Sequence, residues 1–248
     1  MNSTSNDAVS VTSNGSVKAT AVCVGGRYRT SSNGSITPIP EIGCAPIADP
    51  LATLPEPSGG PCISDFVVKA NETRTIDPGT YCKKLEVSSN GTLKMRPGLY
   101  IFPDSVFNIT SNAKVLAEEV TLFFSGKTGT LNIVSNGQFQ ITAPKTGTYQ
   151  GIAIFQSRNK NTLESSPHDL SSNSSSYIEG AIYAPNGHFK FSSNSNMNTK
   201  ASYTFMIARR LDLTSNGKLN LKLTSDGATP LPPLLKTMAS DTVTRLVR

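Results

Sequence analysis

His168 and His188 are the two imidazoles in 248 residues. The first lies in a polar loop and the second beside a turn, neither with a carboxylate or nucleophile in register, so both read as surface groups and not as general bases. Glycan hydrolysis needs paired carboxylates, or an aspartate cluster for calcium with a basic residue. Glu118 and Glu119 are adjacent and so point to opposite faces of a strand. Asp65, Asp77, Asp104, Asp169 and Asp212 read as sharing no common phase. Gly126-Lys-Thr128 has the end of a phosphate loop, but the glycine required five residues earlier is Thr121, and no strand-to-helix context exists. The expectation is a chain with no catalytic residue, no metal site and no cofactor.

Cys23, Cys44, Cys62 and Cys82 lack Cys-x-x-Cys spacing, which argues against zinc. An even count in loop surroundings fits two disulfides made in an oxidising compartment. Of the three possible pairings, Cys62 with Cys82 and Cys23 with Cys44 are favoured as near neighbours between rungs. Asn-x-Ser/Thr recurs, at Asn2, Asn14, Asn33, Asn71, Asn90 and Asn108 for instance. These sequons read as accidents of a repeat whose asparagines face inward.

That repeat is the element that positions everything else. In Leu85 to Met95, with Asn90 as position zero, apolar residues stand at minus five, minus three, plus three and plus five. The same frame fits Phe107, Ile109, Val115 and Ala117 around Asn112, and Leu131, Ile133, Phe139 and Ile141 around Asn136. It fits Leu211, Leu213, Leu219 and Leu221 around Asn216, and Val9, Val11, Val17 and Ala19 around Asn14. Pivots at Asn14, Asn33, Asn90, Asn112, Asn136, Asn173, Asn194 and Asn216 are separated by 19, 57, 22, 24, 37, 21 and 22 residues. A degenerate copy at Asn71 divides the longest step.

Residues two apart share a strand face, so each flank is a short strand with its apolar side inward. Asparagine tolerates the left-handed conformation that a corner needs, and the bend is expected to swing its amide inward. A period of 19–24 residues without helical periodicity is that of a parallel β-solenoid rung. The crossover rule makes it right-handed. Asn14, Asn33, Asn71, Asn90, Asn112, Asn136, Asn173, Asn194 and Asn216 would form an internal Asn ladder, each amide bonding the next along the axis.

A parallel β-helix domain is thus expected over residues 1–227. It carries a Pro-rich surface excursion at 37–61 and a long loop at 157–170, and residues 228–248 form a Pro-rich tail or cap. Hydrophobic content of 37% against 16% charged suits an exported β-rich protein. The net charge of +6 comes from lysines and arginines scattered along outward positions, which points to a solvated surface and no nucleic-acid partner. No apolar run is long enough to span a membrane, and Met1 leads straight into polar residues, so any targeting segment is expected upstream.

Several motifs sit on this frame in a fixed order: Ile47-Ala-Asp-Pro-Leu-Ala-Thr-Leu-Pro-Glu-Pro57, Pro78-Gly-Thr-Tyr-Cys82, Pro97-Gly-Leu-Tyr100, Gly151-Ile-Ala-Ile-Phe-Gln156 and Gly180-Ala-Ile-Tyr-Ala-Pro185. Threaded on Ser-Asn-Gly pivots from Ala8 to Asn216, they resemble the C-terminal region of TadG-like proteins of the bacterial tight-adherence (Flp) pilus assembly system. The resemblance implies a noncatalytic structural or adhesive part of a pilus or cell-envelope assembly at the bacterial cell surface, in the periplasm or outside the cell. Its partners would be other pilus or envelope proteins and host or abiotic surfaces, with membrane contact only through an N-terminal anchor absent here. The alternative is a surface or secreted protein that binds or cleaves glycans beside the loop from Arg158 to Asp169.

Overall fold

The inward positions of the repeat fix the architecture. Leu85, Val87, Leu93 and Met95 around Asn90 are buried, as are Leu131, Ile133, Phe139 and Ile141 around Asn136. Each corner therefore joins two short strands, Leu85–Val87 and Thr92–Met95 in the first of these rungs, and a third strand, Gly98–Pro103, follows the Arg96-Pro97 turn. The structure is a computed structural model that describes residues 3–18, 21–159, 166–172, 176–192, 195–197, 201, 203–221 and 230–233. The chain is an all-β parallel solenoid of about 8 turns, and its strands stack on three sides.

On the first side, Leu85 lies between Phe66 and Phe107; on the second, Thr92 lies between Thr73 and Lys114. On the third, Gly98–Pro103 pairs residue for residue with Val120–Ser125. Inside, Tyr81, Phe102, Phe124, His168 and Phe189 form a column along the axis, with successive ring centroids 4.5–5.8 Å apart.

Rung order departs from chain order. Val9 pairs with Leu211 on one side and with Tyr28 on the other, so the first two repeats stack beyond the last one. The chain then returns outside the solenoid as residues 38–61 and starts its main run at the opposite end with Cys62–Ile63. This return is a packed strap: Leu51 and Leu54 bury against Ile101, Phe123, Phe155 and Tyr183 on the outer face of the third side. The Arg158 guanidinium donates to the carbonyls of Leu51 and Leu54 at 3.2 and 2.6 Å. Glu56 accepts from the Arg158 N–H and the Ser157 hydroxyl, and the Tyr183 hydroxyl donates to Asp49 at 2.7 Å. Burial chiefly pushes the Tyr183 phenol up to about 12, with Arg158 opposing the rise and Asp49 adding to it.

The cysteines pair as favoured, Cys23 with Cys44 and Cys62 with Cys82. The second bridge closes the end where the main run starts. Beside it Arg74, in register with inward Leu93, lies over the Phe66 ring at 4.7 Å and places a charge where another turn would have to stack.

The corners differ from the expected internal ladder. Asn14, Asn33, Asn71, Asn90, Asn112 and Asn136 are exposed and Asn216 is half-buried, while Asn173 and Asn194 lie outside the described residues. The physical reason is that serine and asparagine are both left-handed, as in Ser89 (φ 53) and Asn90 (φ 60). Two successive left-handed residues make a tight turn of the I′ class, closed by the N–H of Gly91 on the Ser88 carbonyl, and such a turn keeps its central side chains outside. Stacking runs through the backbone: the N–H groups of Asn71, Asn90, Asn112, Asn216 and Asn14 donate to the carbonyls of Ser89, Ser111, Ser135, Ser13 and Ser32 at 2.8–3.1 Å.

The residue after the pivot is pressed onto the neighbouring rung, where a Cβ on Gly137 would meet the Ile109 carbonyl oxygen at 2.5 Å. Gly137→Ala is accordingly expected to cost about 1–3 kcal/mol by overpacking. Asn136→Gly should be nearly neutral, since glycine takes the left-handed conformation freely, and Asn136→Ala should cost about 1 kcal/mol. Denaturant unfolding of the three variants measures this order; a larger loss for Asn136→Gly than for Gly137→Ala would contradict it. Leu51→Ala should cost about 2–5 kcal/mol in the same assay, because it leaves a cavity under the strap.

Candidate functional site

Outward residues of the first side recur four positions before each pivot and align along the axis. In register they are Glu86, Asn108, Asn132, Asp169, Lys190, Asp212, Ser10 and Arg29. Asn132 donates its amide to Asn108 at 3.1 Å, so an axial amide bond does form, on the outside and away from the pivots. The charged part of the row follows. Lys190 reaches Asp169 at 3.5 Å, and Asp212 accepts from His188 at 2.9 Å and from Arg210 at 3.1 Å.

Asp169 and Asp212 thus share a phase, contrary to the expectation that the aspartates do not recur. They occupy the same frame position two rungs apart, with Lys190 between them. Asp212 is not arranged as a proton donor. Burial of Asp212 disfavours its charge, but hydrogen bonds from His188 and Arg210 and the positive charge beside it prevail and hold the carboxyl below the usual range. Asp169 faces an ammonium. A shallow pocket of about 370 Å³ beside this row is lined by Ser135, Asn136, Asp169, Ser171, Lys190 and Ser192.

Both histidines are buried, which corrects their reading as surface groups. His168 stands five residues before Asn173, an inward frame position, and its Nδ1 accepts from the Leu131 N–H at 3.1 Å. That bond makes the imidazole neutral with its proton on Nε2. The ring does a backbone carbonyl's work in the irregular rung after the long loop. In the same rung the Ser176 hydroxyl accepts from the Phe139 N–H, and the Ser172 hydroxyl donates to the Gly137 carbonyl. His168 is therefore a stacking residue, legible from its phase.

Cys23, Glu41 and Cys44 lie close enough together to suggest a metal site, but both sulfurs are joined in the disulfide, so no thiolate remains to ligate. The strap takes up the described polar groups at the start of the long loop, Ser157 and Arg158.

Asp212 is held ionised in the folded chain, so it stabilises the fold above the carboxyl pKa of the unfolded chain, and that contribution disappears as pH falls through the lower folded value. Asp212→Asn is expected to destabilise the chain by about 1–2 kcal/mol at neutral pH. The difference from the parent should shrink as pH falls through the lowered folded value of the Asp212 carboxyl. Unfolding midpoints from pH 7 to pH 2 test this, and a pH-independent difference would contradict it. No family model, no curated protein and no solved structure matches the chain.

Proposed function

We propose that the chain is a noncatalytic structural or adhesive component of a bacterial cell-surface assembly of the tight-adherence pilus type. One observation carries this reading: the clustered polar groups are committed to holding turn to turn and strap to turn. Asp212 binds His188 of the adjacent rung and Arg210 of its own strand, and Arg158, Glu56, Asp49 and Tyr183 fasten the strap. Such an arrangement resists deformation of one turn against the next and of the strap against the turns. The two disulfides suit a periplasmic or extracellular compartment. The ordered motifs on the Ser-Asn-Gly corners supply the pilus assignment.

In the producing bacterium, deletion of the coding sequence is expected to abolish pili or surface attachment. Complementation by an Asp169→Asn/Asp212→Asn variant should restore the phenotype as the parent does. Full attachment and piliation in the deletion strain would overturn the assembly role. Sugar release from a polysaccharide panel by the purified parent, lost in that variant, would replace it with the glycan-cleaving alternative.

A further inference from the structure

The two ends of the solenoid are finished differently. At the start of the main run the outermost turn carries Arg74 at an inward position, paired with Glu72 at 3.3 Å. At the other end the outermost turn consists of Tyr28–Thr30, Ser35–Thr37 and Glu41–Ile42. Each of these strands is paired on one edge, with Val9–Val11, Ser16–Lys18 and Cys23–Val24. Their other edges are open among the described residues. Register gives the inward positions of this turn: Tyr28 and Thr30 stand over Val9 and Val11, Ile36 over Val17, and Ile42 over Val24. None of them is charged. Val24 is fully buried, whereas Ile42 in the same phase is 56% exposed, and Ile39 at the adjoining corner is 79% exposed. The apolar interior is therefore open to water here, beside three unpaired strand edges.

We propose that this end docks a second copy of the chain, the two molecules meeting end to end about a two-fold axis perpendicular to the solenoid. Such an axis passes through one side of the turn, pairs the strand of that side with its own copy in antiparallel sense, and exchanges the other two sides. The charges around this end choose among the three. They are Asp7, Arg27 and Arg29 at the first side, Glu41 at the third, and Lys18 one turn further in on the second. Asp7 is taken by Arg29 at 3.7 Å, while Arg27 and Glu41 have no ion-pair partner among the described residues. An axis through the first side would bring the arginines of both copies together, and one through the third would set Glu41 against Glu41. An axis through the second side lays uncharged Ser35–Thr37 along its own copy and places the arginines of each molecule opposite Glu41 of the other. The two Lys18 residues are then three rung spacings apart, roughly 14 Å at about 4.8 Å per rung, where salt screens their repulsion. The pair is closed, because the end that each copy leaves outermost is the one bearing Arg74 and Glu72.

The pairing stands apart from the pilus assignment and is tested by sedimentation equilibrium of the purified full chain with both disulfides intact. A monomer–dimer equilibrium without larger species is expected. Ile42→Lys puts a cation into the open interior and should raise the dimer dissociation constant by about tenfold or more. Ile63→Lys makes the same change at the opposite end, where Ile63 is 38% exposed, and should leave the constant within about twofold. Glu41→Arg should weaken pairing, and adding Arg27→Glu to it should restore the dimer. Unchanged melting temperatures would show that the variants fold. A monomer at every concentration overturns the proposal, as does association that Ile42→Lys leaves intact. Larger species that disappear in Ile63→Lys would replace two-fold pairing with head-to-tail stacking. Failure of the double charge reversal to restore the dimer would likewise reject the two-fold arrangement.

Discussion

The contact on which the rest of the structure depends is the N–H of a left-handed corner asparagine donating to the serine carbonyl of the next rung. It sets the spacing of turns and brings consecutive corners into line. It also requires a small residue immediately afterwards, because that position lies against the neighbouring backbone: Gly15, Gly34, Gly137 and Gly217 would each drive a Cβ into a carbonyl. Once the corners are in line, the residues three and five away from them must face inward together. A slip of one residue would turn every apolar side chain out to water.

The repeat and its consequences were legible because local periodicity encodes them. The short strands, most of their inward residues and the favoured disulfide partners follow from spacing, whereas Leu221, placed inward by the frame, is exposed at the end of the last turn. The side of the corner on which the asparagine lies was not settled by the bend alone. Parity already placed the amide outside, and a turn of two left-handed residues keeps it there, whereas a single left-handed residue was expected to bring it in. What stacks inside is aromatic, from Tyr81 to Phe189. Phase would also have found His168 at an inward position, Asp169 and Asp212 in one outward row, and four lysines on one side. Those are properties of the frame, invisible when charged residues are counted along the chain.

The chain path was beyond any local pattern. Pairing of Val9 with Leu211 depends on two distant edges matching, and the sequence around either one is that of an ordinary rung. The strap follows from this pairing. Having laid two turns at what becomes the far end, the chain must return to the other end before the main run begins, and prolines make that return without demanding ladder partners. Leu51 and Leu54 make it part of the core. The first two turns have no surface to stack on until the turn ending near Leu219 is complete, so a long closure is made late. The Cys23–Cys44 bridge joins chain segments within this late-docking end, and Cys62–Cys82 joins those at the start of the main run.

This path also determines which surfaces meet other molecules. An open solenoid exposes strand edges at its ends and residue rows on its sides. At the start of the main run, Arg74, lying over Phe66 and paired with Glu72 at 3.3 Å, and the adjacent disulfide make stacking of a second copy unfavourable, since a solvated charged pair would have to be taken out of water. The third side is occupied by the strap, and the charges of the first are satisfied across its own rungs. The second side carries Lys94, Lys114, Lys218 and Lys18 together with Glu179, which stands in register with Thr142 beside Tyr177, so its outward charges are of both signs and are spread along the axis.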